Sequence, residues 1–399
     1  MRDFARFKRS LLVDEYASAG LPSPIEAKLR LQREVNLRVG NMIDLSIMTD
    51  QTPPLEVRQV AAEAAMRGGY VKNLLSVRQK ISELYATRFG VDLNPESMFL
   101  VAGGQTALDN AFKLLIESGD EVVLFEPEYA TYEAMVRFYG GVPQAQPLKL
   151  SGERWSLDLA ELREKVTPKT KLIVFSSPNN PSGYVFTRED LTEIARLADE
   201  NDCWVISDET WAMILLDESA KFVSTAEFTR IRDRLVIIYS ASKTFGMSGY
   251  RMGAAIGPSD FMAAFDQATR FSCHAAPTVG QYALEKALDL EITGGWIESR
   301  VAQLRERARE TMPRIAAAKH LRCAYPQSGV FLFPDISCTG LSSMDFAVEL
   351  LRDKGVYVFP GFFYGRHSDR HVRISMAVPD QDFEKGMDRL LAFVAERCT

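Results

Sequence analysis

Lys243 stands in the run Ser240-Ala-Ser-Lys243-Thr-Phe-Gly-Met-Ser-Gly-Tyr-Arg251-Met-Gly253, directly after the apolar segment Leu235–Ser240. A lysine just past a buried strand sits at a sheet edge. Desolvation there lowers the pKa of its amine and makes it a nucleophile toward an aldehyde. Two hydroxyls, Ser240 and Ser242, and the guanidinium of Arg251 supply donors for a phosphate dianion. A lone lysine so placed also reads as a solvated loop residue, so its partners decide between the two readings.

Asp208-Glu209 follows the strand-like Trp204–Ser207, which puts a carboxylate at the end of a parallel sheet where such folds bind ligands. A buried Asp there would keep a pyridine-type nitrogen protonated, making the ring an electron sink; an Asp at a helix N-cap is the alternative. Ser177-Pro-Asn-Asn180-Pro-Ser-Gly183 is a Pro/Gly-framed turn after another strand. Such a turn fixes the direction of the Asn180 amide, or is a plain loop. Gly103-Gly104-Gln105-Thr106 joins a strand to a helix N-terminus that could take a phosphate, or is a tight structural turn. It is not a P-loop, because no Gly-Lys-Ser/Thr follows.

The elements that must position these residues read as α/β. Short apolar runs at Met98–Ala102, Glu121–Phe125, Leu172–Ser176, Trp204–Ser207, Leu235–Ser240 and Met252–Ile256 alternate with helix-patterned stretches, as in a mostly parallel sheet. Thr106–Ser118 carries its apolar residues at helical spacing, with Gly119 placed to end it. Thr187-x-x-Asp190 has the spacing of a capping box. The last hundred residues change character. A charged helical stretch from Trp296 to about Lys319 precedes two strand-like runs, Val330–Phe333 and Val356–Phe359, and an amphipathic helix from Asp382. Two packed parts are expected: residues 46–285 as a large domain, and 1–45 with 286–399 as a smaller α+β domain.

Composition is that of an ordinary globular chain: 399 residues, 46% hydrophobic and 25% charged. The net charge of -6 leaves no electrostatic footprint for nucleic acid, and a small-molecule partner is expected. Five scattered cysteines without CxxC spacing suggest neither a disulfide framework nor a metal site. Reduced thiols in a cytoplasm are expected, and no signal peptide or membrane-spanning run is evident.

In this order and spacing, from about Ile43 to Ala377, the segments resemble the fold-type I enzymes dependent on pyridoxal 5′-phosphate, specifically the class I/II aminotransferases. The resemblance implies a large domain with a mostly parallel seven-stranded sheet flanked by helices. It implies Lys243 as the Schiff-base lysine, Asp208 as the partner of the pyridine nitrogen, and Asn180 as donor to the ring oxygen. Gly104, Gln105, Ser240, Ser242 and Arg251 resemble a phosphate cup, and Tyr129 the aromatic residue stacked on the ring. Arg373, in Val372-Arg-Ile-Ser375, is similar to the arginine that grips a substrate α-carboxylate by a bidentate pair. Tyr70 resembles the tyrosine that reaches a neighbouring subunit's phosphate, which implies a homodimer with shared active sites.

Departures from the pattern bear on specificity. Trp211 stands where the family usually has Tyr, and an indole N–H donates but cannot accept or ionise. Met48 closes the run Ile43-Asp-Leu-Ser-Ile-Met48 where Gly is usual, at the substrate entrance. The usual Gly after Tyr70 is absent. Phe362, Phe363 and Trp211 suggest an aromatic-lined space, and His274 is either structural or close to the neighbouring site. The implied reaction moves the amino group of an L-amino acid to a 2-oxo acid. Elimination, replacement, cyclisation or oxidation of an amino acid would keep the same residues, and an effector-sensing regulator is a third class. The amino acid itself is not identified.

Overall fold

The computed structural model describes residues 42–47, 52–318 and 321–398. β1 (Ile43–Asp44) lies apart from the main sheet. The strands β2 (Met98–Val101), β3 (Glu121–Glu126), β4 (Val142–Ser151), β5 (Arg154–Leu157), β6 (Thr170–Ser176), β7 (Trp204–Asp208), β8 (Leu235–Ser240) and β9 (Gly253–Ile256) form one eight-stranded sheet. Their order is β2-β9-β8-β7-β6-β3-β4-β5. The run from β8 through β7, β6 and β3 to β4 is parallel, whereas β9 is antiparallel to both its neighbours and β5 to β4.

Seven strands were expected and eight are present; the hairpin β4–β5 carried no strand signal. Pro143 and Pro147 interrupt its apolar pattern, and most of β4 is only partly buried. Both prolines fall where β4 has β3 as its sole partner, since β5 pairs only with 148–151. Their spacing of four puts both missing N–H groups on the same, unpaired side of the strand.

Both sheet faces are covered, which is why the central strands read as continuous apolar runs. Leu172, Val174, Ile206, Val236 and Ile238 pack with the helix Gly104–Leu115, while Ile173, Phe175, Val205, Ile237 and Tyr239 join the opposite core. The helix ends at Leu115, short of the expected Ser118. Gly119, at φ +94°, turns the chain into β3 rather than capping the helix. The capping box at Thr187 and Asp190 is present at the start of the helix Arg188–Glu200.

The later part holds β10 (Phe331–Leu332), β11 (Val356–Tyr357), β12 (Phe359–Pro360) and β13 (Val372–Ser375). β10, β13 and β12 form an antiparallel sheet, and β1 pairs in parallel with β11. The helices Trp296–Ala317, Ser343–Lys354 and Asp380–Ala395 accompany them. Cys338 and Cys398 form a disulfide, with Cα atoms 5.4 Å apart, so the expectation of five reduced cysteines is corrected. Sixty residues separate the pair, and only the docking of the last helix brings them together.

Candidate active site

The C-terminal edge of the parallel strands collects the chemistry. Asp208, the last residue of β7, is paired in register with Ser176 of β6 and Ile238 of β8. Ser240 ends β8 opposite Gly253, and Gly253 in turn faces Val101 at the end of β2. Because β9 runs antiparallel, its first residue lies at this edge, and Arg251 arrives just before it. A cavity of about 190 Å³ opens there, lined by Gly104, Gln105, Tyr129, Asn180, Asp208, Trp211, Ser240, Ser242, Lys243 and Arg251. Ser176, Leu108, Thr210 and Ser248 complete the lining. A larger cavity of about 560 Å³, between the β4–β5 hairpin and the helix Trp296–Ala317, contains no lysine or cysteine.

Lys243 belongs to a one-turn helix, Ala241–Thr244, capped by the Ser240 hydroxyl. Burial, then the charges of Arg373, Arg251 and Arg300, bring its amine down to about 8. Arg300, which the sequence reading missed, reaches from the helix Trp296–Ala317 and donates to the Lys243 carbonyl at 3.0 Å. Asp208 is buried, and burial raises its carboxyl above the ordinary range; hydrogen bonds from Thr210 and Tyr132 oppose that rise. The Thr210 N–H donates to Oδ1 at 3.0 Å and the Tyr132 hydroxyl to Oδ2 at 2.8 Å.

The anion-binding side is built from backbone and glycines. The helix Gly104–Leu115 begins at the cavity; Thr106 and Ala107 bond the Gly103 carbonyl, which leaves the N–H groups of Gly104 and Gln105 with no carbonyl one turn back to bond. Gly103 has φ +89°, and a Cβ on it would lie 2.4 Å from Arg251 Nη2; one on Gly104 would press on Ser240 Cβ at 3.3 Å. Arg251, itself left-handed at φ +53°, is held by the carbonyls of Ser248 at 2.9 Å and Ala102 at 3.3 Å. The side chain of Gln105 turns toward Met135 and Thr131, leaving its place in the helix N-terminus as its contribution.

Arg373 lies on β13 and donates from Nη1 to Asn180 Oδ1 at 3.2 Å and from Nη2 to the Ser46 carbonyl at 2.8 Å. Its Nε is buried and has no hydrogen-bond partner among the described residues. Phe331, Phe359 and Tyr364 surround the guanidinium at 4.0, 5.2 and 5.3 Å. The expected aromatic surroundings are thus these three and Trp211, which meets Phe331 edge-on at 5.3 Å. Phe362 and Phe363 do not line the cavity, and neither do Arg373 and its three rings; Arg373 adjoins it through its hydrogen bond to Asn180.

Two further expectations fall outside the cavity of this chain. Tyr70 is 67% exposed, close to Asp266 and Thr278 through its neighbours Lys72 and Val71. His274 is exposed, left-handed at φ +65°, and bonded through its N–H to the Thr269 carbonyl. Met48 lies outside the described residues. Tyr132 went unnoticed in the sequence, although its position three residues after Tyr129 at a helix start was the signal available.

Known proteins resemble this chain over nearly its whole length. It is 31% identical to the putative aminotransferase YugH of Bacillus subtilis, over 80% of this chain and 82% of that protein. It is 29% identical to aromatic-amino-acid aminotransferase 2 of Thermococcus litoralis, over 87% and 90% respectively. Among solved structures, the aromatic aminotransferase from Pyrococcus horikoshii superposes with a TM-score of 0.84 at 29% identity, covering 92% of this chain and 99% of that one. The family described as aminotransferase class I and II matches residues 34–390. That match spans most of the chain, and the chain belongs to the class I and II aminotransferase family.

Proposed function

We propose that this chain transfers the amino group of an L-amino acid to a 2-oxo acid, with pyridoxal 5′-phosphate held in the cavity at the sheet edge. The observation that carries the proposal is the convergence of Lys243, Asp208 and Arg251 on one cavity from three different strand ends. The residues fit that cofactor. The glycine cradle and helix start beside Arg251, Ser240 and Ser242 suit a phosphate dianion. The Lys243 amine suits an aldehyde, and the Asp208 carboxyl a ring nitrogen. Asn180 and Trp211 would face the ring oxygen and Tyr129 the ring plane. When bound, the cofactor supplies a carbonyl for amino groups and a ring that accepts the electron pair left by a departing α-proton.

Each residue then has a task of its own. Lys243, with its amine near 8, is neutral in a sizeable fraction of molecules at physiological pH and can take the substrate α-proton on Nζ. Arg373 would bind the α-carboxylate, its buried Nε, without a partner among the described residues, turned from water by three aromatic rings. Asp208, ionised, would stabilise a positive charge at the ring nitrogen. Relatives named for aromatic amino acids, aspartate and for arginine with pyruvate differ in substrate, so the side chain accepted here is left open.

We further propose a homodimer. Met66, Tyr70 and Phe271 are large exposed side chains, the outer two 90% and 88% accessible, on segments tied together by Lys72–Asp266. Tyr70 would serve the partner's phosphate site. Residues 46–285 are taken as the large domain, with 1–45 and 286–399 as the small one. Among the described residues no helix is long and apolar enough to cross a membrane. A cytoplasmic location is our reading, and the Cys338–Cys398 pair is the observation that weighs against it.

The test is a single half-reaction. Purified protein loaded with the cofactor and given one amino acid should release one equivalent of 2-oxo acid per site and no ammonia. Ammonia, or consumption of oxygen, would instead indicate elimination or oxidation, the outcomes that Trp211 in place of a tyrosine left open.

A further inference from the structure

Tyr132 is 1% exposed and sits at the start of the helix Tyr132–Phe138. Its hydroxyl donates to Asp208 Oδ2 at 2.8 Å across 76 residues of sequence. Its ring meets Tyr129 edge-on, centroids 5.6 Å apart and planes at 77°, and is backed by Phe112 at 6.4 Å. Its N–H closes a turn onto the Tyr129 carbonyl at 2.9 Å. One buried side chain therefore braces both a carboxylate and an aromatic ring that line the cavity from different elements.

We infer that Tyr132 is a positioning residue acting through Asp208 and Tyr129, its hydroxyl deciding on which side the proton between Asp208 and the cofactor's ring nitrogen resides. The inference rests on the reading of Asp208 as the partner of that nitrogen. A donor to a carboxylate stabilises its ionised form and lowers its proton affinity. With Tyr132 and Thr210 each donating, Oδ2 and Oδ1 are both engaged, and the carboxylate leaves the proton on the ring nitrogen. Tyr132 stays a donor throughout, because burial and the nearby Asp208 raise its own phenol well above the ordinary range. Removing the hydroxyl raises the proton affinity of Asp208. The proton then moves from the nitrogen to a carboxylate oxygen, and the ring becomes a weaker electron sink. No other bond changes.

The test compares the wild type, Tyr132→Phe and Asp208→Asn, each loaded with pyridoxal 5′-phosphate labelled with 15N at the ring. In Tyr132→Phe the nitrogen resonance should move part of the way toward that of Asp208→Asn. Its kcat should fall about tenfold or more, as expected for a lost hydrogen bond to a charged group, with KM for the amino acid little changed. A resonance unmoved in Tyr132→Phe but moved in Asp208→Asn would reduce Tyr132 to packing and overturn the inference alone. No movement in either variant would overturn the reading of Asp208 and the inference with it. Should Tyr132→Phe not fold, 3-fluorotyrosine at position 132, a stronger donor of similar size, should move the resonance in the opposite sense. No movement there would overturn the inference equally.

Discussion

The most direct consequence of the site is the titration of Lys243. A lysine of ordinary pKa, 10.5, is brought to about 8, first by burial and then by the charges of Arg373, Arg251 and Arg300. At pH 7.5 an ordinary lysine is neutral in about one molecule in a thousand and this one in about one in four, a gain of roughly 200-fold in nucleophile. The rate at which the cofactor-free protein captures pyridoxal 5′-phosphate, followed by stopped-flow absorbance between pH 6 and 10, should therefore rise and level off near pH 8. Replacing Arg373 with Leu removes the largest of the three charges and should move that bend upward. The bend should still fall below 10.5, because burial remains. The same displacement has a cost in stability. Between about 8 and 10.5 the unfolded chain binds a proton that the folded chain does not, so stability rises with pH across that window. At about 1.4 kcal/mol for each tenfold, the cost at pH 7 is at most about 3.5 kcal/mol, and cofactor-free Lys243→Met should be more stable than the wild type by up to that amount. A capture rate that keeps climbing tenfold per pH unit through 9.5, or a Lys243→Met protein no more stable, would refute the reasoning.

Three other outcomes are expected. In Gly253→Ala the new Cβ would stand 2.7 Å from the Gly104 nitrogen and 2.8 Å from the Tyr239 carbonyl, with backbone on both sides. Overpacking of this kind costs about 1–3 kcal/mol, readable as a lower urea midpoint, and should also weaken cofactor retention. Glu209 is buried beside Asp208, accepts from Ser224 and the Thr225 N–H, and is pushed up to about 7, mainly by burial. With its folded pKa raised, its contribution to stability is fully present below about 4.5 and lost as pH rises through about 7. The melting temperature of the wild type relative to Glu209→Gln should therefore increase as pH falls from 8 to 5, and a difference independent of pH would refute this. Thr187→Ala removes one half of a reciprocal cap on the helix Arg188–Glu200 and should cost about 1 kcal/mol, measured by chemical denaturation.

Much of this protein was legible in its residues. The two-sided burial of the central strands makes them continuous apolar runs, so β6, β7 and β8 were visible within two residues of their bounds. Since ligands in such sheets bind beyond the strand ends, the residues just past those runs, Asn180, Asp208 and Lys243, were identifiable as candidates before any coordinates. What lay beyond local pattern needed the tertiary structure. Strand β4 is held by its neighbour despite two prolines, and sequence periodicity does not register a neighbour. Cys338 meets Cys398, Arg300 meets the Lys243 carbonyl, and Tyr132 meets Asp208 across separations of 57 to 76 residues. The residue types and their order determined which chemistry was possible. The packing of distant segments decided which carboxylate would be buried between two hydrogen-bond donors, which lysine would be desolvated and which rings would surround Arg373, because burial and charge proximity are properties of three-dimensional neighbours.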